Sequence, residues 1–382
     1  MSLPTLLAGL SLGIWIYLLV GRGRFWREPV STFHPHAASW PSVVAVVPAR
    51  DEAEVIGTAV FSLLRQNYRG DFRVVLVDDH STDGTADTAR RAAETAGAED
   101  RLTVVTADPL PAGWTGKLWA MSEGLRHVEE SGHEARLVLL TDADIEHDPR
   151  NLAELVARLD AEKLDMASLM VKLRCQSLAE RAFIPAFVFF FQMLYPFAWV
   201  NDPEHAMAAA AGGCMLLRRS ALARIGGIGC IRNALIDDCA LGAQVKAGSK
   251  IWLGLSDHTR SLRPYPDWRD IWRMIARSAY TQLRYSPLLL AGTVAGMVLK
   301  YMVPPMLLFH GGTPSVLAAL SWGVMAVIFV PTLRYYERSL VWAPLLPVIA
   351  LFYLGATIDS ARRHWLGKGG EWKGRVQMRG AQ

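Results

Sequence analysis

SVVAVVPARDE (42–52) is an unbroken apolar run that reaches Pro48 and passes at once into charged residues. The same order returns in RVVLVDDHSTDGT (73–85) and RLVLLTDAD (136–144), where acids again follow an apolar run directly. Apolar character that is continuous rather than alternating predicts strands covered on both faces, as in a parallel sheet. Further strand-like runs lie at 102–106 (LTVVT) and 165–170 (DMASLM), with helix-like stretches near 52–66, 83–97, 117–130 and 149–161. A spacing of about 30 residues per unit is that of βαβ units. The chain is therefore read as an α/β protein with a mostly parallel sheet. Its acids stand at the carboxyl ends of strands, where such sheets bind ligands.

Composition narrows the class. A chain of 382 residues has room for one large α/β domain plus membrane segments. A net charge of +4 is too small to imply a nucleic-acid partner. The four cysteines, Cys175, Cys214, Cys230 and Cys239, form no CxxC pair, which argues against a zinc site and for reduced thiols in a cytosol-facing domain. Residues 3–20 hold 18 positions without a charge and are followed by Arg22, Arg24 and Arg27. That length spans a bilayer, and the basic flank predicts that the following domain is cytoplasmic. Three further apolar runs follow at 287–309, 314–333 and 340–358. The first carries Lys300 and Pro304-Pro305 and is read as re-entrant or tilted, which keeps the basic tail (Arg362, Arg363, Lys368, Lys373, Arg375, Arg379) inside; the basic loop 334–338 pulls the other way.

Two stretches between these runs have their own texture. CQSLAERAFIPAFVFFFQMLYPFAWV (175–200) is strongly aromatic and is interrupted by Pro185 and Pro196, which disfavour helix; it is read as lying at the membrane interface, with a buried core helix as the rival. Residues 267–285 form an amphipathic helix with Trp268, Ile271, Trp272, Ile275, Ala279 and Leu283 on one stripe. Arg269, Arg273, Arg277 and Arg284, with Tyr280 filling the gap, make another.

The acidic motifs carry the chemistry. Asp79, after a buried strand, can accept a hydrogen bond from a uracil N–H, and Asp83 either caps the next helix or lines the same pocket. An EF-hand is excluded, because its twelfth position would be Arg90. In TDAD, Asp142 and Asp144 alternate at a strand end and so address one point, suiting a hard divalent cation, Mg²⁺ or Mn²⁺, on a diphosphate. AGWTGK (112–117) is not a phosphate loop, since Pro111 and Leu118 stand where the Walker pattern needs Gly and Ser or Thr. The pair Asp237-Asp238 suits a general base, because adjacent like charges raise one of the two pKa values; capping of a helix start is the alternative. AGGCMLLRR (211–219) offers a Gly-Gly backbone that can pass close to a ligand, or a plain turn. In TQLRY (281–285), Arg284 can make paired hydrogen bonds to a diphosphate.

Taken in order, VVPARDE, VDDHSTDGT, TDAD, IDDCALG and TQLRY resemble the motifs of family 2 glycosyltransferases with the Rossmann-like GT-A fold, over roughly residues 40–290. Within that family the chain resembles the hopanoid (hopene)-associated, ceramide-glucosyltransferase-like branch, whose GWxGK element matches residues 113–117. The resemblance implies an inverting, membrane-bound transfer of a sugar from a UDP-sugar to a lipid hydroxyl. It implies Asp238 as base, with Asp237 replacing the family's Glu. Pro48, Glu52, Asp79, Lys117, Asp142, Gln282 and Arg284 are implied to bind the donor, Asp144 to ligate the metal directly, and Asp142 to contact ribose or metal. TQLRY departs from the family's (Q/R)QxRW at Thr281 and Tyr285. A processive polysaccharide synthase shares these motifs but needs more spans, and a non-enzymatic membrane scaffold would have no use for them. The expected organisation is a transmembrane helix at 1–21, a linker at 22–41, and a cytoplasmic domain at 42–285 with interfacial helices near 180–200 and 267–285. Membrane segments at 286–360 and a basic cytoplasmic tail at 361–382 complete a multi-pass protein of the inner (plasma) membrane.

Overall fold

The computed structural model describes residues 2–27, 30, 39–367, 371–372 and 375–376. Half of the expected linker, with Pro29 and Pro35, lies outside the described residues, as do Lys368, Lys373 and Arg379 of the tail. The chain divides into two compact units. One comprises Pro29–Leu173, Trp199–Arg263 and Glu371–Gln382; the other comprises Met1–Glu28, Arg174–Ala198 and Pro264–Gly370.

The first unit is built on an eight-stranded sheet: β1 (Val43–Ala49), β2 (Phe72–Asp78), β3 (Leu102–Thr106), β4 (Leu137–Thr141), β5 (Ile145–His147), β6 (Met166–Lys172), β7 (Cys214–Arg218) and β8 (Ile251–Ser261), in the order β3-β2-β1-β4-β7-β6-β8-β5. The run β3-β2-β1-β4 is parallel throughout, so the loops after β1, β2 and β4 leave from one end of the sheet. Every residue of β1 is buried, as its continuous apolar run requires. Pro48 does not end β1 but lies inside it, opposite Val77; as the last residue but one, its missing N–H costs little.

The sheet is mostly parallel as expected, and beyond β4 it is mixed, with β6 parallel to β8. β7 is antiparallel to both β4 and β6, and β5 is antiparallel to β8. β7 is the CMLLR of AGGCMLLRR, which the sequence offered as a ligand-side backbone or a turn. The stretch forms a strand because its four apolar residues are buried between two neighbouring strands.

The helix Gly116–Glu130 starts at Thr115, whose hydroxyl accepts from the Leu118 amide. It lies against the sheet at Gly124, where a Cβ would come 2.5 Å from Val46 Cγ1 of β1 and 2.9 Å from Val77 Cγ2 of β2. Only glycine lets the helix backbone approach this closely.

The second unit is helical. Among the described residues, four of its helices are long and apolar enough to cross a membrane: Leu3–Val20, Pro287–Leu307, Gly312–Tyr335 and Leu340–Trp365. Pro287–Leu307 runs on past Lys300 and Pro304 by way of a π-helical stretch, Val298–Met302. The aromatic segment forms a long helix, Leu178–Leu194, which continues through Pro185 against the expected break, and a short one, Phe197–Asn201, with the break at Pro196 as expected. A capping box of Ser177 and Glu180 fixes the start of the long helix, and Ile184, Val188 and Phe189 are buried against neighbouring helices, so for this face the core-helix reading holds. Trp268–Gln282 is amphipathic as expected, with one correction: Tyr280 belongs to the buried stripe, its hydroxyl donating to the Tyr285 carbonyl at 2.8 Å.

Candidate active site

The loops after β1 and β2 are stitched together by side-chain acceptors. The Asp51 amide donates to Ser81 Oγ (3.0 Å), the Glu52 amide to Thr85 Oγ1 (2.8 Å) and the Ala53 amide to Asp83 Oδ2 (2.9 Å). In return the Thr82 amide donates to Asp51 Oδ1 at 2.9 Å. Arg50 Nη1 donates to the Asp79 carbonyl at 2.6 Å and lies 3.5 Å from Asp79 Oδ2. Asp79 is buried at the end of this seam. Asp83 also accepts from the Thr85 amide and hydroxyl. Loss of water alone would raise its carboxyl; these hydrogen bonds outweigh that and hold it below the ordinary carboxylate range. Asp83 is thus taken up in joining the two loops and the start of the Thr85–Ala96 helix.

TDAD and IDDCALG meet at one ammonium. Lys117 Nζ lies 2.8 Å from Asp142 Oδ1 and 3.0 Å from Asp237 Oδ2. A cation in the first turn of a helix is opposed by the helix dipole, whereas Asp237 and Asp238, in the first turn of Asp237–Lys246, are favoured by theirs. Burial would pull Lys117 down, but the charges of Asp142 and Asp237 more than offset it and keep the ammonium protonated. Asp142 is pushed above the ordinary range by loss of water and, further, by the charge of Asp144, with Lys117 opposing.

Asp238 is held from two directions. Its Oδ2 accepts the Gly212 amide at 2.9 Å and its Oδ1 the Cys239 amide at 2.7 Å. Gly212 packs close to both groups: a Cβ would stand 3.3 Å from Lys117 Nζ and 3.4 Å from Asp238 Oδ2, within tight contact. Loss of water, then the neighbouring Asp237 charge, pushes the Asp238 carboxyl up to about 6, against the pull of Lys117 and the two amides. A carboxylate tuned towards neutrality can take a proton near pH 7.

A second cation serves the outer acids. Arg263 Nε lies 2.9 Å from Asp144 Oδ2 and Arg263 Nη2 lies 2.6 Å from Glu52 Oε1. Asp142 and Asp144, adjacent but for Ala143, are therefore each matched to a different cation. Both offer hard oxygen donors of the kind Mg²⁺ or Mn²⁺ prefers. Among the described residues no three His, Cys, Asp or Glu side chains gather as a complete ligand set. The expectation that both acids address one point is not met in this arrangement, where Asp142 pairs with Lys117 and Asp144 with Arg263.

Pro48, Glu52, Asp79, Lys117, Asp142, Asp144 and Asp238 all fall within the α/β unit. Gln282 and Arg284 fall in the helical unit: Gln282 Nε2 donates to the Tyr195 hydroxyl, and Arg284 is exposed with a left-handed φ of 50°, just past the end of its helix. Sequence reasoning missed Arg263 and the Gly212 amide. Arg263 follows β8, whose polar second half, SDHTRS, hid the strand.

A model of glycosyl transferase family 2 matches residues 44–226. No curated protein matches the chain. Among solved structures, the chain is similar to the mannosyltransferase PcManGT from Pyrobaculum calidifontis, in complex with GDP-Man and Mn²⁺. Identity there is 21% over 95% of this chain and 99% of that one, with a TM-score of 0.56. TarS 1-349 of S. aureus, in complex with UDP-GlcNAc, matches at 14% identity over 87% of this chain and 95% of that one, with a TM-score of 0.42. The first of these likenesses establishes a shared fold. The family 2 match over residues 44–226 falls mostly on the α/β unit, whose fold is GT-A-like, with Arg174–Ala198 belonging to the helical unit, and the protein is a glycosyltransferase.

Proposed function

We propose that this glycosyltransferase is membrane-bound and moves a sugar, with inversion, from a UDP-sugar to the hydroxyl of a membrane lipid of the hopanoid class. One observation carries the reading: Lys117 ties Asp142 of TDAD to Asp237 beside Asp238, joining a donor-side acid to a base-side pair. In this reading Asp238 accepts the proton of the attacking hydroxyl while the acceptor oxygen bonds to the sugar's anomeric carbon. The bond to the diphosphate breaks on the opposite face, which inverts the configuration and needs no second carboxylate as nucleophile. Glu52 and Asp79 line the nucleoside end, and Lys117 and Asp142 the phosphate end. Asp144 and Asp142 would hold a divalent cation, which when bound neutralises the departing diphosphate. The Mn²⁺ in the PcManGT complex supports this role. Gln282 and Arg284 are assigned to the donor on the resemblance of TQLRY alone. Four helices of spanning length and composition support the membrane assignment and a lipid acceptor.

The test is turnover by purified full-length protein with Mn²⁺ or Mg²⁺, across UDP- and GDP-sugars, with hopanoid and other lipid extracts as acceptors. Lipid-dependent release of UDP, with a product anomer opposite to the donor's, is expected. Transfer to soluble sugars alone would overturn the lipid acceptor, and turnover of GDP-sugars only would overturn the UDP assignment.

A further inference from the structure

We propose that Arg263 is a donor-contacting residue that works by exchange. In the free enzyme it is the counter-ion of Asp144 and Glu52, and on loading it gives up Asp144 and grips the donor's diphosphate. The inference rests on the nucleotide-sugar reading above and adds to it a residue that none of the five motifs contains.

Four observations lead there. Asp144 and Glu52 are each about 10% exposed at the side chain, while the guanidinium between them is 35% exposed, so Arg263 sits on the open side of two nearly buried acids. Acids so withdrawn from water need a cation, and Arg263 is placed to supply it before any ligand arrives. The backbone at this point is fixed: the Leu262 amide donates to the Asp144 carbonyl at 2.7 Å, and Ser261 pairs with Ile145 across β8 and β5. Any exchange of partners therefore falls to the side chain. Finally, Nε and Nη2 each contact a different carboxylate, so Asp144 can be released while Glu52 still anchors the group.

Charge decides the direction of the exchange. A divalent cation taken by Asp144 brings more positive charge to that carboxylate than the guanidinium it displaces. A diphosphate ester arriving with the cation offers new oxygens, and a planar guanidinium matches phosphate oxygens in pairs, as an ammonium does not. Net charge at the site is then the same before and after loading, since the cation and the doubly charged diphosphate cancel.

The experiment compares the full-length parent with R263M and R263K, measuring equilibrium binding of Mn²⁺ alone, of UDP with Mn²⁺, and of uridine. For R263M, tighter Mn²⁺ binding in the absence of nucleotide is expected, because the competing counter-ion is gone. UDP affinity should fall by about tenfold or more, the usual scale for losing hydrogen bonds to a charged group, with a much smaller effect on uridine. R263K should lie between the two. UDP affinity close to the parent's, or equal losses for UDP and uridine, would overturn the inference. So would parallel loss of Mn²⁺ and UDP binding, which would make Arg263 a structural brace. A parent protein that binds no nucleoside diphosphate would instead sink the donor reading itself.

Discussion

Asp238 is set by opposed influences, of which the raising ones prevail. Loss of water and the charge of Asp237 raise its carboxyl to about 6; Lys117, with the Gly212 and Cys239 amides, limits the rise. In the proposed role of base Asp238 works only when deprotonated, so turnover should climb as pH rises through about 6 and level off above it, measured as a pH–rate profile. Asp238→Asn should leave UDP binding near the parent's while lowering turnover by about a hundredfold or more. Lys117→Met tests the other side of the balance. Without the ammonium, Asp238 loses a charge that favours its ionised form, so the acidic limb of the profile should move to higher pH. An unmoved limb would show that Lys117 does not act on the base.

At the scale of elements, legibility followed the pattern of burial. β1, β2 and β4 were readable because both of their faces are covered, which leaves a continuous apolar run directly before the acids. Glu52, Asp79, Asp142 and Asp144 were legible for the same reason, as each follows a strand that announces itself, whereas Asp237 and Asp238 open a helix and were marked only by their adjacency. β8 was not: Gly254 interrupts its apolar start and polar residues fill its second half, so Arg263 beyond it had no marker. Pro185 was misjudged because the helix around it is fixed by its capping box and by packing within the unit, which override the local cost of a missing N–H. The helix that bears Lys117 offers a prediction. At an exposed helical position Gly→Ala gains about 1 kcal/mol. Gly124→Ala should instead destabilise by about 1–3 kcal/mol through overpacking against Val46 and Val77, read as a lowered thermal midpoint. Turnover should fall with it, because the displaced helix carries the ammonium away from Asp142 and Asp237.

At the scale of the whole molecule, residues 21–286 lie between two candidate spans, Leu3–Val20 and Pro287–Leu307. Sugar nucleotides are cytoplasmic solutes, and Arg22, Arg24 and Arg27 flank the first span on the side of this stretch. A cysteine replacing the exposed Asp108 should therefore resist a membrane-impermeant thiol reagent in intact cells and react after permeabilisation. Labelling of intact cells would place the site outside. The sequence marked the apolar runs clearly, since spanning helices need only length and composition. It did not reveal how the segments between the runs are apportioned, because the contacts that bind Leu178–Leu194 and Trp268–Gln282 to the spans are tertiary.

That apportionment makes the two units inseparable as genetic cassettes. The α/β unit is interrupted by Arg174–Ala198, which belongs to the helices, and neither unit corresponds to one continuous reading frame. A fragment ending at Arg263 would still carry the Leu178–Leu194 helix, stripped of the later helices that pack on it, Phe329 against Phe189 among them. Such a fragment should aggregate when expressed alone. Recombination that swapped the apparent catalytic segment between relatives would also exchange part of the helical core, so donor chemistry and the helical unit are inherited together.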